Sequence, residues 1–123
     1  MISIELPFPP SANHFMGQRC GKRFLSAKTR LFRQEVSDRV SALNVAPSTQ
    51  ALEVFIALYP PDKRKRDIDN YIKQTFDALQ HAGVFEDDSQ VYHLDVIKHS
   101  PVKGGKCKVV ILESEEIYGL VAA

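Results

Sequence analysis

The sequence predicts a two-layer α/β (α+β) fold, a four-stranded mixed sheet with two helices on one face, in the order β-α-β-α-β-β. Three observations predict it. Two segments repeat apolar residues at helical spacing, four short segments are rich in strand-forming residues, and proline or glycine punctuates the joins between them. With 123 residues, 44% of them hydrophobic, the chain can bury one modest core, so residues 1–123 are expected to form a single domain.

Ile2 to Leu6 alternates weakly and then meets Pro7-Phe8-Pro9-Pro10, a stiff turn that ends a first strand. Ser11 to Leu25 reads as a loop, polar and basic, with Gly17 and Gly21; loops of that length in small domains usually serve function. Ser26 is placed to cap a helix running to about Leu43, with Leu31, Phe32, Val36, Val40 and Leu43 on its apolar face. Asn44 to Gln50 is a connection. Ala51 to Tyr59 is dense in Leu, Val, Phe and Ile, which predicts a buried strand ended by Pro60-Pro61.

Asp67 to His81 places Ile68, Ile72, Phe76 and Leu79 on one side, predicting a second helix with Gly83 as its carboxy-terminal cap. Val91 to Lys98 and Lys106 to Leu112 read as strands, joined into a hairpin by the turn at Gly104-Gly105. Residues after Glu113 read as frayed. Helices on one side leave the other side of the sheet bare, so a second copy is expected to cover it as a homodimer.

Composition excludes several classes. No apolar run approaches the roughly 20 residues that span a bilayer, and Met1 to Glu5 holds neither a basic leader nor an apolar signal core, so a cytoplasmic protein without membrane contact is expected. Cys20 and Cys107 are too few for a disulfide framework and lack zinc-ligand spacing, which leaves reduced thiols. His14, His81, His93 and His99 share no helical turn and are read as surface or packing residues. Tyr59, Phe76, Phe85 and Tyr92 are assigned to the core, and Phe8 and Phe15 to pinning their loops ahead of stacking on unpaired bases.

A net charge of +1 alone argues against a nucleic-acid partner, but the distribution argues for one. Seven basic residues lie from Arg19 to Arg39, Lys22 and Arg23 among them; Lys63-Arg64-Lys65-Arg66 are consecutive, and four more lysines fall from Lys98 to Lys108. The acids are local too. Asp67 and Asp69 follow the basic run at a helix start, and Glu86-Asp87-Asp88 forms a second group beyond the helix end.

Carboxylates at a helix start serve as caps in the plainest reading. Here Asp69 and Lys73 are one turn apart on a flank of the apolar face, which aims a carboxylate and a lysine together. Phosphodiester hydrolysis needs a hard cation on oxygen ligands, a positive group beside the developing charge, and cations that grip flanking phosphates. Aspartates with Mg2+ or Mn2+, Lys73, and Lys63 to Arg66 suit those tasks in turn. One geometric objection stands: a helix of about 15 residues is roughly 22 Å long, which separates the two acidic groups unless the chain folds back or two subunits share the site.

LPFPPSANH from Leu6, SAKTRLFRQEV from Ser26, RKRDIDNYIKQTFDALQHAGVFEDDSQV from Arg64 and KGGK from Lys103 together resemble the RusA family of Holliday junction resolvases, in the family's order over nearly the whole chain. The resemblance implies a homodimer that binds branched DNA, the four-way junction, and nicks it in a Mg2+- or Mn2+-dependent reaction. It implies catalytic and metal-binding roles for Asp67, Asp69 and Asp88, a catalytic role for Lys73, and secondary roles for Asp87 at the metal and Asn70 at the DNA. The rival reading is a branched-DNA-binding module without catalysis. Acids beside phosphates would oppose binding in such a module unless a cation stood between them.

Overall fold

The computed structural model describes residues 1–12, 16–19 and 22–114, the stretches 16–19 and 22–24 by their backbone alone. Cys20, His14, Phe15 and the expected fraying beyond residue 114 lie outside the described residues. Strands β1 (Ile2–Leu6), β2 (Met16–Arg19) and β3 (Lys22–Leu25) precede helix α1 (Ala27–Leu43); β4 (Leu52–Tyr59), α2 (Ile72–His81), β5 (Val91–Lys98) and β6 (Lys106–Glu113) follow. The mixed four-stranded sheet has the order β1-β6-β4-β5, with β4 parallel to β5 and antiparallel to β6.

Strand periodicity of two decides what the sheet buries. Leu52, Val54, Ile56 and Leu58 of β4, Cys107, Val109 and Ile111 of β6, and Ile4 and Leu6 of β1 all enter the core. Phe32, Val36 and Val40 of α1 and Ala78 and Leu79 of α2 meet them from the helical layer. Ser26 caps α1 through its hydroxyl, which accepts from the Thr29 N–H at 3.2 Å. Among the described residues, no helix is long and apolar enough to cross a membrane.

Four expectations change. The strands after Val91 do not form a hairpin, because β4 separates β5 from β6. The reason is burial: β4 and β6 carry the apolar alternation and take the centre, while β5 exposes most of its residues and takes an edge. Residues 99–105 climb over the end of β4, with the His99 N–H bonded to the Leu58 carbonyl and the Val102 N–H to that of Pro60. The basic loop of residues 11–25 holds a two-stranded ribbon, β2 against β3. On α1, Leu31 is 71% exposed, so the buried stripe runs through Thr29, Phe32, Val36 and Val40 instead. Tyr92, assigned to the core, is 48% exposed on the edge strand.

Gly104 and Gly105 have φ of +82° and +69°, in the region only glycine enters without strain. A Cβ on Gly105 would meet the Phe8 Cβ at 3.0 Å and the Pro61 Cδ at 3.1 Å, whereas one on Gly104 would meet nothing within 4 Å. Gly105→Ala is therefore expected to cost about 2 kcal/mol or more in urea unfolding and Gly104→Ala about 1 kcal/mol. Equal losses would show that contact with the proline turn is unimportant.

Burial pushes the Cys107 thiol up from 9.0 to about 12. The unfolded chain releases this proton near 9.0 while the folded chain keeps it, so the thiol's contribution to stability falls as pH rises from 9.0 to about 12. Stability measured at about pH 8 and about pH 10.5 should fall less in Cys107→Ala than in the parent chain.

Candidate active site

The basic loop after β4 is braced from inside by Asp62, an acid that no motif or spacing singles out. Its Oδ1 accepts from the Arg66 guanidinium at 2.8 Å and from the Arg64 N–H at 3.0 Å. Arg66 holds the Asp62 carboxyl below the ordinary carboxylate range, and Asp62 raises Arg66 in return. The Arg66 guanidinium also lies over the Phe8 ring, 5.6 Å from its centroid. Arg66 is thus committed to loop structure, while Lys63, Arg64 and Lys65 present exposed side chains. Lys22 and Arg23 sit on β3, and their side chains lie outside the described residues.

The helix expected from Asp67 begins later. Residues Ile68–Tyr71 form a 3-10 turn and α2 starts at Ile72. The tighter winding sends Tyr71 into the core and leaves Ile68 39% exposed, against its expected role as an anchor. Asp67 occupies the cap position of this turn, yet its side chain makes no capping bond. Both Asp67 and Asp69 are exposed, and no hydrogen bond or ion pair from a described residue engages either carboxylate. The capping explanation of these acids therefore fails. Buried Gln74 secures the turn from behind: its amide nitrogen donates to the Asn70 carbonyl at 3.0 Å and its oxygen accepts from the Ala12 N–H at 3.2 Å.

The second acidic group returns along the helix. At the end of α2, Gly83 has φ of +88°, the Gly83 N–H bonds to the Gln80 carbonyl and the Val84 N–H to that of Leu79, the pattern that turns a chain back at a helix end. Val84 and Phe85 are buried, and the Ser48 segment bonds this return on both sides, from Ser48 N–H to the Val84 carbonyl and from Glu86 N–H to the Ser48 carbonyl. Ten residues of α2 cover about 15 Å and five extended residues cover about 16 Å, so Asp88 comes back beside the helix start.

Lys73 closes the arrangement. Its Nζ lies 2.7 Å from Asp88 Oδ2 and 3.0 Å from Asp77 Oδ1, and Asp77 faces Arg33 of α1 at 3.9 Å. A cation in the first turn of a helix opposes the helix dipole. Asp88 and Asp77 offset that and raise the Lys73 ammonium above its ordinary value, so it stays charged at neutral pH. The backbone fold-back thus carries Asp88 to the residue one turn beyond Asp69 within one subunit.

Asp87 and Gln90 hold the return. The Asp87 carboxylate accepts from the Ser89 N–H at 2.9 Å, while Gln90 Oε1 accepts from the Glu86 and Asp87 N–H groups at 3.0 and 2.8 Å. Gln90 Nε2 donates to the Ser48 and Gln50 carbonyls at 2.9 and 2.8 Å. The Ser89 N–H holds the Asp87 carboxyl below its ordinary range. Asp87, a metal candidate in the sequence, is occupied as a cap. Gln90 and Gln74 were missed because a glutamine's partners are distant in sequence and no spacing announces them.

Among the described residues, no three His, Cys, Asp or Glu side chains stand close enough together to hold a metal ion. Mg2+ does not require three, since it is ordinarily held by one or two carboxylates with waters completing the octahedron. Asp67 and Asp69, exposed and unpaired among the described residues, are hard oxygen donors of that kind, and Lys73 bonds only one oxygen of Asp88. The donor chemistry fits Mg2+ or Mn2+ and does not suit a thiophilic metal.

Fold and site define an α+β protein that presents exposed carboxylates and a charged lysine beside a cationic loop. Residues 7–112 match the family model of endodeoxyribonuclease RusA. The chain is 36% identical over 112 residues to a crossover junction endodeoxyribonuclease RusA of Shigella sonnei, covering 90% of this chain and 93% of that protein. It is 36% identical to that of Enterobacteria phage 82, covering 89% and 92% of the two chains, and 34% identical to that of Enterobacteria phage HK97, covering 91% and 94%. The chain belongs to the RusA family.

Gln90→Ala removes four bonds that hold the acidic return while leaving every acid in place. It is expected to destabilise the fold by about 2 kcal/mol in urea unfolding. An unchanged unfolding midpoint would show that the return needs no such support.

Proposed function

We propose that this protein is a structure-specific DNA endonuclease that resolves four-way junctions, the activity named for its relatives. The observation that supports the reading is the Lys73–Asp88 contact at 2.7 Å, which brings Asp88 of the second acidic group to the first turn of α2. Asp67, Asp69 and Asp88 would hold Mg2+ or Mn2+. When bound, such an ion supplies an activated water and neutralises charge on the reacting phosphoryl group.

The chain's own residues do the rest. Lys73, held cationic by Asp88 and Asp77, stands ready to stabilise charge on a phosphate oxygen and is too basic to serve as a proton acceptor. Lys63, Arg64 and Lys65 grip flanking phosphates, and Asn70 lies between them and Lys73 as a further polar contact. Arg66 fixes the loop that carries those cations.

Paired cutting of a junction with near two-fold symmetry calls for two sites related by the same symmetry. The face of the sheet away from the helices suits a homodimer: Phe55, Val110 and Leu112 are half-buried there in a lone chain, and Ile97 is 52% exposed.

Purified protein incubated with a synthetic four-way junction should nick it in Mg2+ or Mn2+ and bind without cutting in EDTA. Binding with no cleavage in either metal would favour the non-catalytic module. Asp69→Asn is expected to keep junction affinity within about threefold and lose cleavage by about 100-fold or more. Cleavage at the parent rate would remove Asp69 from the site.

A further inference from the structure

A second feature lies beside the acids. Between the proline turn, α1 and the basic loop runs an open groove of about 900 Å³, at the upper end of the range for ligand sites, with Asp67 at its edge. Its walls are of two kinds. Phe8, Pro10 and Leu31 form an apolar floor, and Lys28 on one side and Arg64 and Lys65 on the other form a cationic rim.

Leu31 is the telling residue. It is 71% exposed on a helix whose buried stripe lies elsewhere, so no packing among the described residues explains it. Phe8 is held rigid from behind, its ring centroid 4.9 Å from that of Tyr71 and the Arg66 guanidinium over it. Glu35, the other acid on the groove besides Asp67, is neutralised by Arg39 at 3.0 Å. The rim therefore favours an anion while the floor favours a flat apolar surface.

We propose that this groove is a subsite for an unpaired nucleotide of the branched substrate, its base against Leu31 and Phe8 and its phosphates against Lys28, Arg64 and Lys65. Duplex DNA cannot occupy it, since a stacked base hides both faces against its neighbours. A nucleotide at a branch point is already partly unstacked, so its base is the cheapest to turn out. Apolar or aromatic platforms flanked by cations bind unpaired strands in this way without reading sequence. The proposal rests on the junction-cleaving reading and adds the element by which the chain would tell a branch from a duplex.

The test places 2-aminopurine singly at each nucleotide flanking the branch and measures fluorescence and affinity in EDTA, where no cutting occurs. Leu31→Ser removes apolar surface at an exposed position, and Leu43→Ser, also exposed and at the far end of α1, is the control. The expected result is a rise in fluorescence at one branch position on complex formation, which Leu31→Ser abolishes and Leu43→Ser does not. Leu31→Ser should also weaken junction binding about fivefold, the low end for one stacked base, while binding of a linear duplex changes less than about twofold. A complex with no fluorescence change at any branch position, or with the same rise in Leu31→Ser, overturns the subsite. Failure of the parent chain to bind the junction at all would instead defeat the junction-cleaving reading, and the subsite with it.

Discussion

The site depends on a match of lengths. α2 advances about 15 Å and the extended chain after Gly83 retreats by nearly the same distance, so the second acidic group ends where the helix began. Nothing in the acids themselves causes this. Gly83 reverses the chain because it alone accepts φ of +88° without strain, Val84 and Phe85 anchor the return by burial, and the Phe85 ring meets Phe76 of α2 edge-on at 6.5 Å. Were any of these lost, Lys73 would face Asp77 without Asp88, and the two acidic groups would lie at opposite ends of a rod.

Charge within the site follows from that closure. Acids near a polyanion are tolerable only if cations interleave with them, and the chain interleaves at every step: Asp62 with Arg64 and Arg66, then Lys73 with Asp77 and Asp88, then Arg33 with Asp77. Asp67 and Asp69 have no such partner among the described residues, and they are the exposed carboxylates that the proposed metal ion would match.

Much of this was legible from residues alone. The helix over 27–43, the apolar strand at β4 and the cap at Gly83 follow from periodicity and from residues with one conformational use. The acids, Lys73 and the basic run were legible as chemistry. The order of strands was not, because Gly104-Gly105 looks the same whether it closes a hairpin or lifts the chain across the end of β4; only relative burial of β5 and β6 decides. The fold-back of Asp88 was legible only as one of two alternatives, since a helix counted from Asp67 is too long by the 3-10 turn that occupies the first four positions after Asp67. The two ribbon strands within the basic loop carry no apolar alternation to betray them, and Gln74 and Gln90 bond to backbone groups whose positions only the fold supplies.

A phosphodiester is chemically the same in a duplex arm and at a branch, so the acids and Lys73 cannot by themselves distinguish the two. Discrimination must come from groups that respond to shape. The chain offers two at different scales. A two-fold dimer across the open sheet face would set the spacing between paired cuts, which a single linear duplex cannot satisfy. The groove along Leu31 and Phe8 responds to one unstacked base, at a point bordering Asp67. The first selects for four arms arranged with symmetry and the second for local disorder of the stack, so a substrate meeting both is a junction held open at its centre. Because the groove shares the basic loop with the acids, a base seated in it would also fix the register of the strand passing them, which joins recognition of the branch to the place of the cut.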